Sequence, residues 1–372
     1  MKIFEYTSRK IARLSIICAI LVVFLHSYSK GLSASMSGSL AWWMQDLVSQ
    51  GISRAAVPFF FMVSGFLLFK DFPEEGITAW WLRKLRKRLK TLCVPYFIWS
   101  LLGLLSTYVI TRFASTQIYS YDVASPTWWL EVLGITTPPK FMFHLWFVKA
   151  IFLFAVFSPL IAAIVFRLPK TALLLLFLSA VFRYRELGDW PSNLMFFVIG
   201  ILATRGEYLA TKNTKEHKVF VDSVFFVTKN NIVVFVWFVL VFLKVLMTRL
   251  GFVDLYGAVR LSDMFEISLM VPINIVGVVA LWIGYDKLIG RSAGLAANLC
   301  DCIAPLSFFV YCSHWMILLW TGAILKRVVP FHSEIIMWLM PSTLTVAIAV
   351  LIGALMRRKL SCAYRILAGG RG

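Results

Sequence analysis

The sequence has little charge, and acidic residues in particular are scarce. Only 15% of its 372 residues are charged, and 18 Asp and Glu stand against 37 Lys and Arg. Soluble globular domains carry about 25% charged residues, whereas 60% of this chain is hydrophobic. Many apolar segments reach the roughly 20 residues that a helix needs to cross hydrocarbon. These proportions exclude one large soluble domain and indicate a polytopic membrane protein.

The sequence also lacks the usual signatures of metal, redox and nucleotide sites. Its six cysteines show no metal-ligand spacing, and Cys300 and Cys302 are too close together for a CxxC motif. Most cysteines fall in or beside apolar segments, so we expect no disulfide framework. There is no glycine-rich nucleotide loop, no low-complexity stretch and no internal repeat. We predict a single membrane domain over residues 1–372, with no bound cofactor and no metal.

The apolar segments predict a bundle of about ten transmembrane helices. They cover residues 11–28, 51–70, 94–113, 142–166, 171–184, 191–208, 231–250, 262–286, 303–325 and 335–356. With a cytoplasmic N-terminus, most Lys and Arg fall in cytoplasmic segments, as the positive-inside rule requires. The predicted fold is therefore all-α with both termini cytoplasmic, and with outer loops at 29–50 and 113–141. The net charge of +19 reflects this topology, and no nucleic-acid partner is expected.

The first two apolar segments contain polar residues that are costly in a bilayer. His26 lies 13 residues beyond Arg13, about 20 Å along a helix, which places it in hydrocarbon toward the outer leaflet. It is either an interhelical hydrogen-bond partner or a neutral proton acceptor. In the second segment, a buried Arg54, a helix-breaking Pro58 and Ser64 suggest a site. The alternatives are that Arg54 extends to the interface and that Pro58 only bends the helix.

A basic segment follows the second apolar segment. Residues 80–90 read Trp-Trp-Leu-Arg-Lys-Leu-Arg-Lys-Arg-Leu-Lys. Six basic residues, with leucines at helical spacing, predict an amphipathic helix over 79–92 on the cytoplasmic surface. Two interpretations remain open. The helix either binds anionic lipid or clamps a phosphate-rich soluble donor such as coenzyme A, because arginine pairs bidentately with phosphate.

Two later regions carry further polar candidates. His144 and Trp146 open the fourth apolar segment, although a tryptophan there is also typical of the membrane interface. Arg183 and Arg185 fall between the fifth and sixth segments. There they either hold a polar acceptor or belong to a solvated loop.

The ninth apolar segment carries a polar stripe. Ser307, Tyr311 and His314 follow i, i+4, i+7 spacing, so they share one helix face. A polar stripe on an apolar helix is expected to face the bundle interior. Structural hydrogen bonding and a functional site explain it equally well.

Taken in order, these segments resemble the acyltransferase-3 family of integral-membrane O-acyltransferases. The resembling stretches are residues 22–26, 54–68, 88–99, 144–147 with a following proline, 196–200 and 307–314. The resemblance implies transfer of an acyl group, usually acetyl from acetyl-coenzyme A, to a hydroxyl of a cell-envelope glycan or lipid-linked sugar. It also implies that His26 is catalytic and that Arg88, with neighbouring Arg83, Lys84 and Lys87, binds the donor.

One position departs from the family pattern. Many members carry Arg or Lys eleven residues before the catalytic histidine, where this sequence has Ser15. Eleven residues at about 100° each return to within about 20° of the same helix face, so the usual pair is aligned. Arg13 lies about 140° off that face and cannot replace it. Either another cation, with Arg54 as the candidate, supplies the charge, or the protein works without it.

The sequence thus predicts an O-acetyltransferase of a bacterial inner membrane. His26 is the predicted general base on the acceptor hydroxyl, and Arg54, or Tyr311 with His314, is predicted to stabilise the oxyanion. The candidate acceptor-binding residues are Ser64, His144, Trp146, Arg183 and Arg185.

Two other functions also fit the sequence in part. A transporter or flippase of glycan precursors would also use interior Pro, Gly and His residues, although the halves show no repeat. A lipid-binding scaffold without turnover explains the basic helix but not the buried polar residues. The expected partners are membrane lipid, an acyl-coenzyme A donor and a sugar acceptor. The acyl chain (acetyl, succinyl or longer) and any homo-oligomeric state are left open.

Overall fold

The computed structural model describes residues 2–27, 39–73, 75–114, 121–182, 189–212, 232–249, 261–290, 294–328 and 333–371. Every regular element within these ranges is helical, which confirms the all-α prediction. The α-helices are α1 (Lys2–His26), α2 (Leu40–Gln45), α3 (Ala56–Phe69), α4 (Ile77–Arg88), α5 (Val94–Ala114), α6 (Pro126–Val132), α7 (Trp146–Val156), α8 (Ser158–Arg167), α9 (Pro169–Val181), α10 (Trp190–Lys212), α11 (Ile232–Arg249), α12 (Leu261–Leu288), α13 (Leu295–Ile303), α14 (Ser307–Val328), α15 (Glu334–Lys359) and α16 (Ser361–Leu367).

Several of these helices are long and apolar enough to cross a membrane. Within the described ranges there are five: Leu40–Phe69, Ile77–Phe113, Leu269–Leu288, Leu295–Val328 and Glu334–Lys359. A sixth span results if α7 and α8, which are bent by 69°, are taken together. The bend lies at Pro159, in the first turn of α8. Because proline has no backbone N–H to donate, the helical hydrogen bonding is interrupted there. The protein is therefore a multi-pass membrane protein, while the count of ten and the cytoplasmic termini stay predictions.

The second span begins earlier than the sequence predicted. Residues 40–50 were expected in an outer loop, but α2 continues through a π-helical turn (Asp46–Gly51) and a 3-10 turn (Ile52–Ala55) into α3. The start signal is Ser39, whose side chain accepts a hydrogen bond from Trp42 N and caps the first turn. In the second predicted loop, 113–141, residues of α6 are likewise helical.

The proline of the second span does not break its helix. Pro58 lies in the first turn of α3, where a missing backbone donor costs little. Further along, α3 packs closely on α10. A Cβ on Gly65 would lie 2.1 Å from Phe197 O, and one on Gly200 would lie 1.9 Å from Met62 O. Glycine at these two positions therefore allows backbone-to-backbone contact, as in other membrane helix pairs.

Helix α1 lies at the centre of the bundle. It contacts α3, α12, α13, α14 and α15, and its residues Cys18, Ala19, Val22 and Val23 are fully buried. At the start of the helix, Lys10 Nζ lies 2.6 Å from Asp286 Oδ2 in α12. These contacts fix α1, and so they fix the position of His26 at its other end.

Candidate active site

Three histidines from separate elements meet at one end of the bundle. His26 ends α1, His144 lies in a 3-10 turn (Phe143–Leu145) that leads into α7, and His314 lies in α14. The ring centroid of His314 lies 5.3 Å from that of His26 and 4.5 Å from that of His144. His144 and His314 are buried, whereas His26 keeps some accessible surface. Ionisable residues gathered inside a membrane bundle mark a functional site.

Backbone carbonyls fix the tautomers of two of these rings. His314 Nδ1 lies 2.6 Å from Tyr311 O, and His144 Nε2 lies 3.3 Å from Cys312 O. A carbonyl oxygen only accepts, so both of these ring nitrogens carry their hydrogens. His314 Nε2 and His144 Nδ1 are then lone-pair acceptors, and both are buried without a hydrogen-bond partner among the described residues. Buried acceptors of this kind call for a donor such as a hydroxyl.

Aromatic residues surround the accessible histidine. The ring of His26 lies edge-on to Phe143 at 5.1 Å and to Trp315 at 6.0 Å, measured between centroids. Trp146, predicted to bind the acceptor, is partly buried and packs against Phe61 of the hydrophobic core, with their ring centroids 6.0 Å apart. The walls of the histidine cluster are therefore apolar, which strengthens every electrostatic interaction inside it.

Arg54 is not buried, contrary to the prediction. Its side chain is exposed, and its guanidinium donates to Oε1 of Gln50, with Nε at 3.1 Å. Arg54 belongs to the 3-10 turn in the middle of the Leu40–Phe69 span, where the departure from α-helical geometry changes the direction of its side chain.

A cavity lies further along α1 from the histidines. Its volume is about 140 Å³, and α1, α3, α4, α7 and α14 contribute to its walls. Its polar lining residues are Ser15, Ser64, Arg88, Ser307, Tyr311 and Arg371. Eleven residues separate Ser15 from His26, which corresponds to about 16 Å along the helix. Tyr311 belongs to both regions, because its hydroxyl also donates to the backbone oxygen of His144.

Comparison with known proteins decides the family. The Acyltransferase domain family matches residues 14–358. The chain belongs to this family. The resemblance inferred from the sequence motifs is thereby confirmed, and the match includes both the histidine cluster and Arg88.

A curated relative is the succinoglycan biosynthesis protein ExoH of Rhizobium meliloti (strain 1021). The two sequences are 28% identical over 143 residues, which make up 37% of this chain and 37% of that protein. The matched segment thus spans little more than a third of the relative's length. No solved structure matches this chain.

Within this acyltransferase fold, the predicted donor-binding residues do not all lie at the cavity. Arg88 lines the cavity, whereas Arg83 and Lys87 are exposed on α4. Lys84 forms an ion pair with Asp71. The reason is the helical period, because Lys84 and Arg88 are four residues apart and share the partly buried face of α4, whereas Arg83 and Lys87 lie on its exposed side. Arg183 and Arg185, the predicted acceptor-binding arginines, lie outside the described residues.

The position that departs from the family pattern lies in the cavity wall. Ser15 lines the cavity, and its hydroxyl donates to Ile11 O at 2.7 Å. Arg13 points elsewhere, with Nε and Nη2 on the carboxylate of Asp301 at 2.6 and 2.5 Å and Nη1 on Tyr285 at 3.1 Å. This agrees with the prediction that Arg13 cannot replace the missing cation.

One charged residue of the cavity was missed by the sequence analysis. Arg371 follows α16 and lies beyond the residues that the family matches. The only signal for it in the sequence is the preceding pair Gly369 and Gly370, which indicates a turn but not its destination.

Proposed function

We propose that the protein is a membrane O-acyltransferase that moves an acyl group, with acetyl as the first candidate, from acyl-coenzyme A to a hydroxyl of a cell-envelope glycan or lipid-linked sugar. The observation that carries this proposal is the pair of buried lone-pair nitrogens, His144 Nδ1 and His314 Nε2, beside the accessible ring of His26. A sugar hydroxyl entering this cluster finds proton acceptors already in place, as general-base catalysis requires.

The cavity supports an extended acyl donor with an anionic head. Arg88 and Arg371 line the cavity, and another lining residue, Ser15, lies about 16 Å from His26 along α1. Coenzyme A combines phosphates with a long arm that ends in the thioester. With its phosphates on the arginines, such a donor extends its acyl group toward His26 past Tyr311.

His26 acts as the general base in this proposal. Its neutral ring takes the proton of the acceptor hydroxyl, and the oxygen attacks the thioester carbonyl. The C–S bond then breaks, and the thiolate of coenzyme A takes the proton back from His26. General-base catalysis of this kind is worth about 10²–10⁴-fold. Arg54 is the candidate to stabilise the oxyanion.

The two other histidines and Tyr311 hold this arrangement in place. His144 and His314 each donate one N–H to a backbone carbonyl and offer the other nitrogen to the acceptor. Tyr311 uses its hydroxyl on His144 O, so it is assigned a positioning role rather than oxyanion donation. Ser64 in the cavity wall remains a candidate contact for the substrate.

The acceptor and the location are inferred from the family and from the relative. ExoH is named for the biosynthesis of succinoglycan, and this supports a glycan acceptor here. Since acyl-coenzyme A is cytoplasmic and envelope glycans are modified at the membrane, the inner membrane is the proposed location.

The experiment that tests the proposal measures release of free coenzyme A by purified protein. Acetyl-coenzyme A and crude envelope glycan are supplied to wild type, His26→Ala and Gly322→Ala; Gly322 has open space around it and serves as the control. We expect glycan-dependent release by wild type and the control, and none by His26→Ala. Absence of release with acetyl, succinyl and longer donors would instead favour the transporter or flippase.

A further inference from the structure

Two arginines share the cavity without an anionic partner. Arg88 and Arg371 both line it. No carboxylate in the described parts of the chain forms an ion pair with either residue. Like charges placed together in a largely apolar cavity are costly unless an anion compensates them. This pair is therefore built for a ligand that brings negative charge.

Arg371 packs on an aromatic ring, although its side chain is exposed. Its guanidinium carbon lies 4.1 Å from the centroid of the Phe308 ring, a cation–π contact. Much of the side chain remains open to solvent. An arginine held on an aromatic face, with surface left free, is placed to receive a ligand.

The chain after α15 is anchored so that Arg371 reaches the cavity. In α16, Tyr364 is fully buried and its hydroxyl donates to Pro305 O at 3.2 Å. Trp99 Nε1 in α5 donates to Leu367 O at 3.1 Å. Both bonds tie this segment to the membrane helices, so the position of Arg371 is fixed by packing.

Two glycines then turn the chain toward the cavity. Gly369 and Gly370 have φ values of +64° and +75°, a backbone region that residues with a Cβ rarely adopt. A Cβ on Gly369 would also lie 2.2 Å from Thr91 O. The turn therefore requires glycine for both conformation and space, and it delivers Arg371 beside Arg88.

We propose that Arg371 and Arg88 together form the binding site for a phosphoryl group of the acyl donor, with Ser15 leaving the space that the guanidinium of Arg371 occupies. The inference rests on the proposed function for the identity of the donor. Arginine suits this ligand because its planar fork binds phosphate bidentately. Arg371 thus supplies, from a distant part of the chain, the cation that α1 does not carry at Ser15.

The test is the affinity of the full-length protein for coenzyme A in neutral detergent. The variants are Arg371→Ala, Arg371→Lys and Arg365→Ala, the last being an exposed arginine of α16 and the matched control. We expect Arg371→Ala to weaken binding at least about tenfold, as lost charge-assisted hydrogen bonds predict. Arg371→Lys should weaken it less, and Arg365→Ala should not change it. Unchanged binding by Arg371→Ala would overturn the inference.

A rescue variant separates ligand binding from folding. Ser15 lies in the wall of the same cavity, so Ser15→Arg places a guanidinium there from α1. We expect Ser15→Arg combined with Arg371→Ala to regain most of the lost affinity for coenzyme A. A double variant that binds no better than Arg371→Ala alone, although it melts like wild type, would contradict the proposed role of Arg371.

Phosphatidylglycerol vesicles distinguish the two sources of phosphate. If the ligand is the soluble donor, vesicles do not displace coenzyme A from wild type. Displacement that requires Arg371 would overturn the donor assignment in favour of a lipid headgroup.

Turnover data keep this inference distinct from the proposed function. In the acyl-transfer reaction, Arg371→Ala should raise KM for acyl-coenzyme A and leave kcat near that of wild type. If wild type binds coenzyme A through Arg371 but never releases it from an acyl donor, the proposed function fails and the site stands. If turnover occurs with an unchanged KM in Arg371→Ala, the site fails and the function stands.

Discussion

Tyr311 joins the two parts of the candidate site through its contact with His144. Its hydroxyl donates to the backbone oxygen of His144, and its side chain also lines the cavity of the two arginines. The ring of Tyr311 lies 5.6 Å from that of His144. A single buried side chain thus fixes the 3-10 turn before α7 against α14, and both histidine positions depend on it.

Removing the Tyr311 hydroxyl should lower kcat more than it weakens binding of the donor. In Tyr311→Phe the buried oxygen of His144 loses its partner, which costs about 1–3 kcal/mol and displaces the histidine ring. We expect a lower kcat with a nearly unchanged KM for the donor, measured by release of coenzyme A. Tyr96→Phe is the matched control, because the Tyr96 hydroxyl donates to Gly134 O at 2.9 Å. A similar loss of kcat in both variants would point to a general loss of stability.

Replacing His314 by asparagine should separate its two ring nitrogens. Asparagine can keep a donor near Tyr311 O, where Nδ1 of His314 now lies, but it removes the lone pair of Nε2. If that lone pair receives the acceptor hydroxyl, activity should fall at least about 10²-fold while affinity for coenzyme A stays at the wild-type level. Full activity in His314→Asn, measured with saturating donor, would remove His314 from the mechanism.

Arg13 and Arg371 should give opposite results when replaced by alanine. Arg13 is tied to Asp301 and Tyr285, so Arg13→Ala should lower the melting temperature and leave the affinity for coenzyme A unchanged. Arg371→Ala should lower the affinity and leave the melting temperature nearly unchanged. Thermal unfolding in detergent, combined with the binding assay, checks both expectations. Loss of affinity in Arg13→Ala at full stability would mean that the ion pair opens to receive the donor.

The close contact between α3 and α10 should not tolerate a methyl group. Gly200→Ala brings a Cβ against the Met62 carbonyl, which forces the helices apart and lowers both stability and activity. Gly322→Ala, in a helix with open space around it, should be neutral or slightly stabilising, since alanine favours helix by about 1 kcal/mol. Melting temperatures of the two variants make the comparison, and equal values would show that the contact relaxes easily.

Individual residues show where prediction from the sequence was limited. Arg54 was predicted to be buried because it lies in an apolar segment, yet a 3-10 turn places its side chain at an exposed position. Ser39 caps a helix inside a segment that was predicted to be a loop. In both cases the local backbone conformation, rather than average hydropathy, decided the outcome.

The sequence by itself determined the membrane class, the helical fold and the family, because apolar length and ordered motifs are local properties of the chain. It also identified His26, His144, His314 and Arg88 as separate candidates. Only the tertiary structure decided that the histidines meet, which of their nitrogens are left as acceptors, and that Arg371 reaches the cavity. The physical reason is that these contacts join distant segments, and their geometry depends on which helix faces pack together.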